Sequence, residues 1–265
     1  LRVLDGAIAI FCGVGGVQPQ SETVWRQSNK YNVPRLIYIN KMDRTGADFF
    51  KVIEEIKQKL HVSPLILHLP LFSGDNFDGI VDIVKKKAIF YPAEDERVAV
   101  EKEIPENMKE EFINYRNILI EKTADVDEKI MKKYLEGEEI TSSELKYAIR
   151  KGTLGCKFFP IFCGASLKNK GTLLLLDAIV DYLPSPVDRG KIEGINPLNG
   201  ERTERLPSEK ENLSMYAFKV YNEPHKGRMV YTRVYSGILK RGHSIYNWTR
   251  NCKERIMKIF EIHAD

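Results

Sequence analysis

The hydrophobic pattern of the chain contains three short, continuous apolar runs, at residues 6–11, 36–39 and 158–163. Such runs are typical of parallel strands that are buried on both faces of a sheet. A helix is predicted after each run, over residues 21–31, 48–60 and 172–183. The alternation of strands and helices predicts an α/β fold with a doubly wound parallel sheet.

Between residues 63 and 155 this alternation is interrupted. Prolines and glycines separate strand-like pieces at residues 80–84 and 88–91. A strongly helical, acidic stretch follows at residues 105–134, and a further helix is predicted over residues 142–151. We interpret residues 63–155 as an inserted α+β subdomain within the doubly wound domain, which then consists of residues 1–62 and 156–186.

The last part of the chain, residues 187–265, has a β-rich pattern. Apolar and β-branched residues concentrate in segments that are separated by turn residues, at residues 215–221, 228–235 and 244–248. This arrangement predicts an antiparallel β-barrel as a second domain.

Composition narrows the possible classes of protein. The 265 residues are 43% hydrophobic and 29% charged, which is ordinary for a soluble globular protein. No apolar run approaches the roughly 20 residues that span a bilayer, and no signal peptide opens the chain. The four cysteines lack metal-binding spacing. We therefore expect a cytoplasmic protein with reduced thiols and no membrane partner.

Charge is distributed unevenly along the chain. Residues 92–144 contain 16 Asp and Glu against 8 Lys and Arg, whereas residues 213–265 contain 4 against 10. A basic end segment suits a phosphate-rich partner such as RNA, although a solvated basic surface is equally compatible with it. The candidate phosphate contacts are Arg228, Arg233, Lys240 and Arg241.

The most informative residues are Asn40, Lys41, Met42 and Asp43, which directly follow the second apolar run. Open α/β folds bind ligands at this edge of the sheet. Guanine presents N1–H and the N2 amine side by side, so that the Asp43 carboxylate can accept both hydrogen bonds. Adenine has no donor at N1 and would leave a buried carboxylate unpaired. Asn40 would brace the loop and reach the base edge, and the Lys41 stem would lie across the ring.

Residues 40–49 read Asn-Lys-Met-Asp-Arg-Thr-Gly-Ala-Asp-Phe, and residues 14–27 read Val-Gly-Gly-Val-Gln-Pro-Gln-Ser-Glu-Thr-Val-Trp-Arg-Gln. Both segments resemble the elongation factor G family of ribosomal GTPases. The resemblance runs nearly end to end and weakens between about residues 65 and 155. It implies a P-loop-GTPase-like sheet that binds GTP or GDP.

The resemblance also implies a second guanine loop at residues 164–171, Gly-Ala-Ser-Leu-Lys-Asn-Lys-Gly. Its backbone N–H groups would contact guanine O6. The family has Ser-Ala where this chain has Ala165 and Ser166, an exchange that retains a backbone donor but moves the serine side chain. Leu167 would cover the base face opposite Lys41, as a phenylalanine does in the family, with less area.

The sequence contains no Gly-x-x-x-x-Gly-Lys-[Ser/Thr] motif, which would hold the nucleotide phosphates and Mg²⁺. The resemblance places that motif, the Mg²⁺ ligands and the catalytic histidine before Leu1, so we predict no catalytic residue within these 265 residues. We interpret the chain as a central fragment that ends midway through the barrel. Gly13 and the glycines after it do not complete a dinucleotide-binding fingerprint.

The resemblance implies partners and a function for the whole protein. It would be a monomer that hydrolyses GTP on the ribosome and drives translocation of tRNA and mRNA, which it touches only indirectly. The ribosomal RNA and the stalk proteins would be its direct partners, the latter through the inserted subdomain.

Four alternatives remain open. The protein could be a recycling-specialised paralogue, since the domains that separate recycling from translocation are absent. A ribosomal protection protein or release factor 3 is disfavoured, because their guanine loops usually depart from residues 41–49 of this chain. A ribosome-binding protein without hydrolysis would lack the phosphate loop by nature. A metabolic α/β enzyme is the weakest alternative, because no catalytic dyad or cofactor fingerprint is present.

Overall fold

The computed structural model describes residues 1–92, 98–196, 198–223 and 227–261. The chain divides into two units, Leu1–Pro184 and Ser185–Asp265. In chain order the first unit contains β1 (Ala7–Cys12), α1 (Pro19–Lys30), β2 (Arg35–Asn40), α2 (Phe49–Leu60), β3 (Pro64–Ile66), β4 (His68–Ser73), β5 (Asn76–Asp82), β6 (Lys87–Phe90), β7 (Val100–Lys102), α3 (Lys109–Ala124), α4 (Glu128–Glu136), α5 (Ser142–Leu154), β8 (Phe159–Cys163) and α6 (Thr172–Tyr182).

The first unit is built around a parallel sheet with the strand order β1-β2-β8-β3. The central strands β2 and β8 are buried almost throughout, which explains their continuous apolar sequences. The predicted α/β class with a parallel sheet and accompanying helices is confirmed.

Helix α2 shows how the local sequence fixes the helix that comes after the loop following β2. The Asp48 side chain accepts a hydrogen bond from the Lys51 backbone N–H at 2.9 Å and so caps the helix N-terminus. Val52, Ile53 and Ile56 face the core. The helix therefore begins immediately after the loop that follows β2 and holds the end of that loop in place.

An antiparallel sheet with the order β4-β5-β6-β7 lies within residues 63–155. It continues from the parallel sheet, because Leu67, between β3 and β4, donates to the Ile161 carbonyl at 3.0 Å and accepts from the Ile83 N–H at 2.9 Å. Strand β3 itself pairs with β8. The proposed insert therefore contributes a strand to the parallel sheet.

The acidic stretch at residues 105–134 is helical as predicted, and the structure divides it into α3 and α4. Asp127 lies between the two helices and its carboxylate accepts hydrogen bonds from the N–H groups of Lys129 and Ile130, at 3.1 and 3.4 Å. A capping aspartate marks the start of a new helix. Lys151 of α5 contacts the same carboxylate at 3.1 Å.

The part of the second unit that the structure describes contains three antiparallel strand pairs. These are β9 (Ile192–Ile195) with β10 (Arg202–Arg205), β11 (Ser214–Glu223) with β12 (Gly227–Ser236), and β13 (Ser244–Asn247) with β14 (Cys252–Arg255). The predicted antiparallel strands are present, but within the described residues these pairs are not joined into one sheet. Closure into a barrel stays a prediction. No described helix has the length and apolar character needed to cross a membrane.

Candidate functional site

Two loops emerge side by side from the carboxyl edge of the parallel sheet. The first loop, residues 40–43, continues from β2, and the second loop, residues 165–170, follows β8 after a single glycine. The two strands are neighbours, with Ile39 paired to Cys163. The topology therefore brings both predicted guanine-binding segments together, at the position where open parallel sheets bind ligands.

Asn40 joins the two loops through its side chain. Its Oδ1 accepts hydrogen bonds from the N–H groups of Lys41 at 2.8 Å and Ser166 at 2.9 Å. Its Nδ2 donates to the Ser166 hydroxyl at 2.8 Å. One amide thus spans 126 positions of sequence and fixes both the conformation of its own loop and the start of the other.

Backbone contacts reinforce this link. The Met42 N–H donates to the Gly164 carbonyl at 3.1 Å, and the Gly164 N–H donates to the Ile39 carbonyl at 3.0 Å. The Met42 side chain is only 1% exposed and anchors the first loop in the core. Met42 is therefore a structural member of the predicted set, because its side chain is directed away from solvent.

Gly13 does not belong to a complete dinucleotide-binding fingerprint, but it has a structural role beside the first loop. Its N–H donates to the Asn40 carbonyl at 2.7 Å, and its carbonyl accepts from the Asp48 N–H at 2.9 Å. A Cβ at this position would lie 3.0 Å from the Met42 sulfur. The glycine lets the segment after β1 pack closely against the first loop.

Lys41 is exposed and has a left-handed backbone with a φ of 65°. A residue other than glycine with this conformation costs of order 1–2 kcal/mol, and such strain concentrates at functional sites. Here the hydrogen bond from the Lys41 N–H to Asn40 holds the conformation. The side chain is exposed, and its position across a bound ring stays a prediction.

The Asp43 carboxylate is mostly shielded by protein, with 14% of its side chain exposed. Its Oδ2 lies 3.7 Å from the Lys168 ammonium of the second loop. This separation is too long for a direct hydrogen bond but places a cation beside the carboxylate. The carboxylate is therefore held at the boundary between the loops, with acceptor capacity left for a ligand.

The backbone N–H groups of the second loop differ in whether they already have a hydrogen-bond acceptor within the protein. The Ala165 N–H donates to the Lys170 carbonyl at 2.9 Å, and the Ser166 N–H is engaged by Asn40. The Leu167 N–H has no acceptor among the hydrogen bonds of the described residues. The Leu167 side chain is 89% exposed, whereas Ala165 is buried. Of the three predicted residues, Leu167 thus offers both a free donor and an apolar surface.

Sequence reasoning missed the supports beneath the second loop. The Tyr38 hydroxyl donates to the Lys170 carbonyl at 3.3 Å, and the Tyr91 hydroxyl accepts from the Gly171 N–H at 2.8 Å. Burial raises the pKa of both tyrosines, so that both hydroxyls stay protonated. The tyrosines carry no motif signal, and only the fold shows their proximity to the loop.

A thiol also lies close to the first loop. Cys12 ends β1 opposite Asn40. A backbone hydrogen bond from Gly15 lowers the pKa of the Cys12 thiol, and the charges of Lys41 and Arg44 act in the same direction. The described residues contain no group of three or more His, Cys, Asp or Glu side chains arranged to hold a metal ion.

The candidate RNA contacts lie in the second unit. Arg228, Lys240 and Arg241 are exposed. Arg233 is half-buried, with its guanidinium 4.9 Å from the centre of the Tyr235 ring. Exposure is compatible with contact to phosphate, and the contact itself stays a prediction.

Residues 1–185 match the family described as elongation factor Tu GTP binding domain. Over all 265 residues the chain is 48% identical to an elongation factor G from Thermotoga neapolitana. The chain spans 38% of the length of that relative. The chain is also similar to the crystal structure of a protein from Thermus thermophilus, with a TM-score of 0.78 and 26% sequence identity. The match covers 96% of this chain and 35% of the Thermus thermophilus chain.

Proposed function

Because the chain belongs to the elongation factor Tu GTP binding domain family, we propose that the first and second loops form the guanine pocket for GTP and GDP. The observation that carries the proposal is the link from Asn40 to Ser166, which places two family-like segments 126 residues apart in one constellation. The pocket consists of Asn40, Lys41, Met42, Asp43, Ala165, Ser166 and Leu167.

In this pocket the Asp43 carboxylate accepts hydrogen bonds from guanine N1–H and the N2 amine. The free N–H of Leu167 donates to O6. The Lys41 stem and the Leu167 side chain cover the two faces of the ring, and both are exposed and available for it. Adenine offers the wrong pattern at each polar contact, so the pocket discriminates by leaving buried groups unpaired.

The whole protein is proposed to be an elongation factor G-like GTPase, in view of the 48% identity over the full chain. It hydrolyses GTP on the ribosome and drives movement of tRNA and mRNA. Residues outside these 265 would hold the phosphates and Mg²⁺, which neutralises charge on the phosphates during hydrolysis. The chain's own contribution is to bind and orient the base.

The same proposal assigns partners to the remaining segments. Residues 63–155 form a subdomain for contact with ribosomal stalk proteins, and residues 187–265 belong to a β-barrel that meets ribosomal RNA through its basic residues. The protein acts as a cytoplasmic monomer. The acidic composition of residues 92–144 requires that the stalk contact use a local basic or apolar face.

The test compares two proteins. The product of the complete reading frame should hydrolyse GTP faster when ribosomes are added, whereas the 265-residue chain should show no turnover above background. The reason is that the phosphates of a nucleotide supply most of its binding contacts. Hydrolysis by the 265-residue chain, or a complete product that ignores ribosomes, would contradict the proposal. Parallel assays of translocation and of subunit splitting separate the two functions within the family.

A further inference from the structure

The segment that separates the two loops in sequence folds back onto the end of the second loop. The Lys170 ammonium donates to the Phe77 carbonyl of β5 at 2.9 Å, and the Lys170 residue is only 5% exposed. One position later, the Gly171 N–H donates to the hydroxyl of Tyr91, which directly follows β6. Both contacts are buried.

These contacts hold the residues that close the second loop. The Ala165 N–H donates to the Lys170 carbonyl at 2.9 Å, and the Lys170 N–H donates back to the Ala165 carbonyl at 3.2 Å. The Tyr38 hydroxyl approaches the same Lys170 carbonyl from β2, at 3.3 Å. The backbone of Lys170 is thus fixed by β2 and by its own loop, while its side chain is fixed by β5.

Close packing at this point leaves little freedom for the loop to shift. A Cβ at Gly164 would overlap the Tyr38 hydroxyl and the Lys170 carbonyl. Gly171 has a φ of 82°, and a Cβ there would lie 2.7 Å from the Cys163 carbonyl and 2.8 Å from the Ile80 side chain. Displacement of Lys170 or Gly171 must therefore move the Ala165 backbone, and with it the Leu167 N–H.

We propose that Tyr91 and Lys170 are positioning residues for guanine recognition, an inference that rests on the proposed function of the two loops. Neither residue belongs to the base pocket. Each ties the closing residues of the second loop to the antiparallel sheet of residues 63–155, so that the inserted sheet sets where the Leu167 N–H meets guanine O6. Loss of either tie weakens the O6 contact selectively, because Asp43 belongs to the first loop and keeps its own anchors.

The test uses Tyr91→Phe in the product of the complete reading frame, with Tyr134→Phe as the matched control. The Tyr134 hydroxyl donates to Glu121 at 3.2 Å between α4 and α3, so the control also removes one phenol contact from the same segment. Affinities for GDP and for 6-thioguanosine diphosphate are measured by competition with a fluorescent GDP analogue. The thio analogue keeps N1–H and N2 but replaces O6 with the weaker acceptor sulfur.

For Tyr91→Phe we expect GDP affinity to fall about fivefold to tenfold, while affinity for the thio analogue falls less than twofold. The discrimination ratio, defined as GDP affinity divided by affinity for the thio analogue, is then lowered. Tyr134→Phe should leave the ratio unchanged. A second variant, Lys170→Met, should lower the ratio in the same way, because it keeps side-chain bulk and removes the donor to Phe77.

An unchanged ratio in Tyr91→Phe, with or without a lower melting temperature, would overturn the proposal and leave Tyr91 a purely structural residue. Failure of the proposed function gives a different result, since the unmodified protein would then show no preference for GDP over ADP. The two failures are therefore distinguishable in one set of titrations.

Discussion

The two loops of the candidate site lie side by side at the edge of the parallel sheet, but they offer a ligand different kinds of contact. The first loop continues a buried strand, and its side chains carry the proposed chemistry, with Asn40 and Asp43 as the polar groups. The second loop is exposed from Ser166 to its turn at Asn169, and its proposed contact with the base is a backbone N–H. Side-chain recognition depends on residue identity, whereas backbone recognition depends on where the chain lies.

This difference explains how the loops are supported. The first loop is anchored by the buried Met42 side chain and the Asp48 cap of α2, in addition to its hydrogen bonds with Gly13 and Gly164. The second loop depends on residues that are distant in sequence: Asn40, Tyr38 and Tyr91. The exposed residues 166–169 of the second loop need partners from elsewhere to hold their backbone, because only the two ends of the loop, Ala165 and Lys170, are buried.

The largest expected effect comes from changing the acceptor in the first loop. Asp43→Asn should change the preferred base from guanine to xanthine, because the xanthine C2 carbonyl accepts a hydrogen bond from the new amide. The ratio of GTP affinity to XTP affinity should fall about 10³-fold or more. The measurement is a competition between GTP and XTP on the complete protein. Asp48→Asn is the matched control, since asparagine also caps a helix, and it should leave the preference unchanged. Retained GTP preference in Asp43→Asn would remove Asp43 from the site.

A smaller effect is expected when the link between the loops is cut. Asn40→Ala removes three hydrogen bonds of about 1 kcal/mol each. Binding must then order the two loops without them, which should lower GDP affinity by up to about 100-fold. Ser166→Ala removes only the bond to the serine hydroxyl and should cost about fivefold. Both affinities are measured by isothermal titration. Equal losses in the two variants would show that the hydrogen bonds from the Lys41 and Ser166 N–H groups to Asn40 Oδ1 contribute nothing to GDP affinity.

The strand leading to the second loop contacts a buried histidine. The His68 ring packs edge-on against Phe162 of β8, with 4.8 Å between centroids. Its Nδ1 has no hydrogen-bond partner among the described residues, and its Nε2 lies 4.0 Å from the Asp82 carboxylate. Burial lowers the pKa of His68 from 6.5 to about 4, Asp82 opposes the shift, and the charge of Lys85 adds to it. His68 is therefore neutral in the folded protein at neutral pH.

This histidine predicts a modest pH dependence of stability. Between pH 6.5 and 4 the unfolded chain binds a proton that the folded chain does not, so the free energy of unfolding falls as the pH falls. The loss should be about 2 kcal/mol between pH 7 and 5. Urea unfolding of the 265-residue chain, followed by Trp25 fluorescence in a Trp248→Phe background, measures it. His68→Gln should flatten the dependence, and parallel pH profiles with and without the substitution would contradict the assignment.

Much of the first unit could be predicted from local sequence. The apolar runs identified strands β1, β2 and β8, and the periodicity of residues 48–60 identified α2 within a residue. For β2 and β8 local signals sufficed because a strand buried on both faces admits few polar residues. The first loop could be recognised for the same reason, since its polar residues end such a strand. The prediction that β1 is buried on both faces was wrong, because β1 lies at the edge of the described sheet and Ile10 is 61% exposed.

Other features required the tertiary structure. The sequence of residues 63–155 did not indicate that β3 joins the parallel sheet, because a three-residue strand carries no usable period. Neither Tyr38 nor Tyr91 has a local signature, and their contacts with Lys170 and Gly171 connect positions 132 and 80 residues apart. Ala165 and Ser166 departed from the resembled pattern, and only the fold showed that the Ser166 hydroxyl meets Asn40.

The sequence by itself determined the chemistry that this protein can offer a ligand, because residue type fixes which groups donate and which accept. It also determined the central strands β2 and β8 of the parallel sheet, because burial on both faces leaves an apolar pattern along a single strand. The tertiary structure decided which backbone donor of the second loop is left free and what holds it there. That decision depends on hydrogen bonds between distant segments, and no pattern along the chain encodes their geometry.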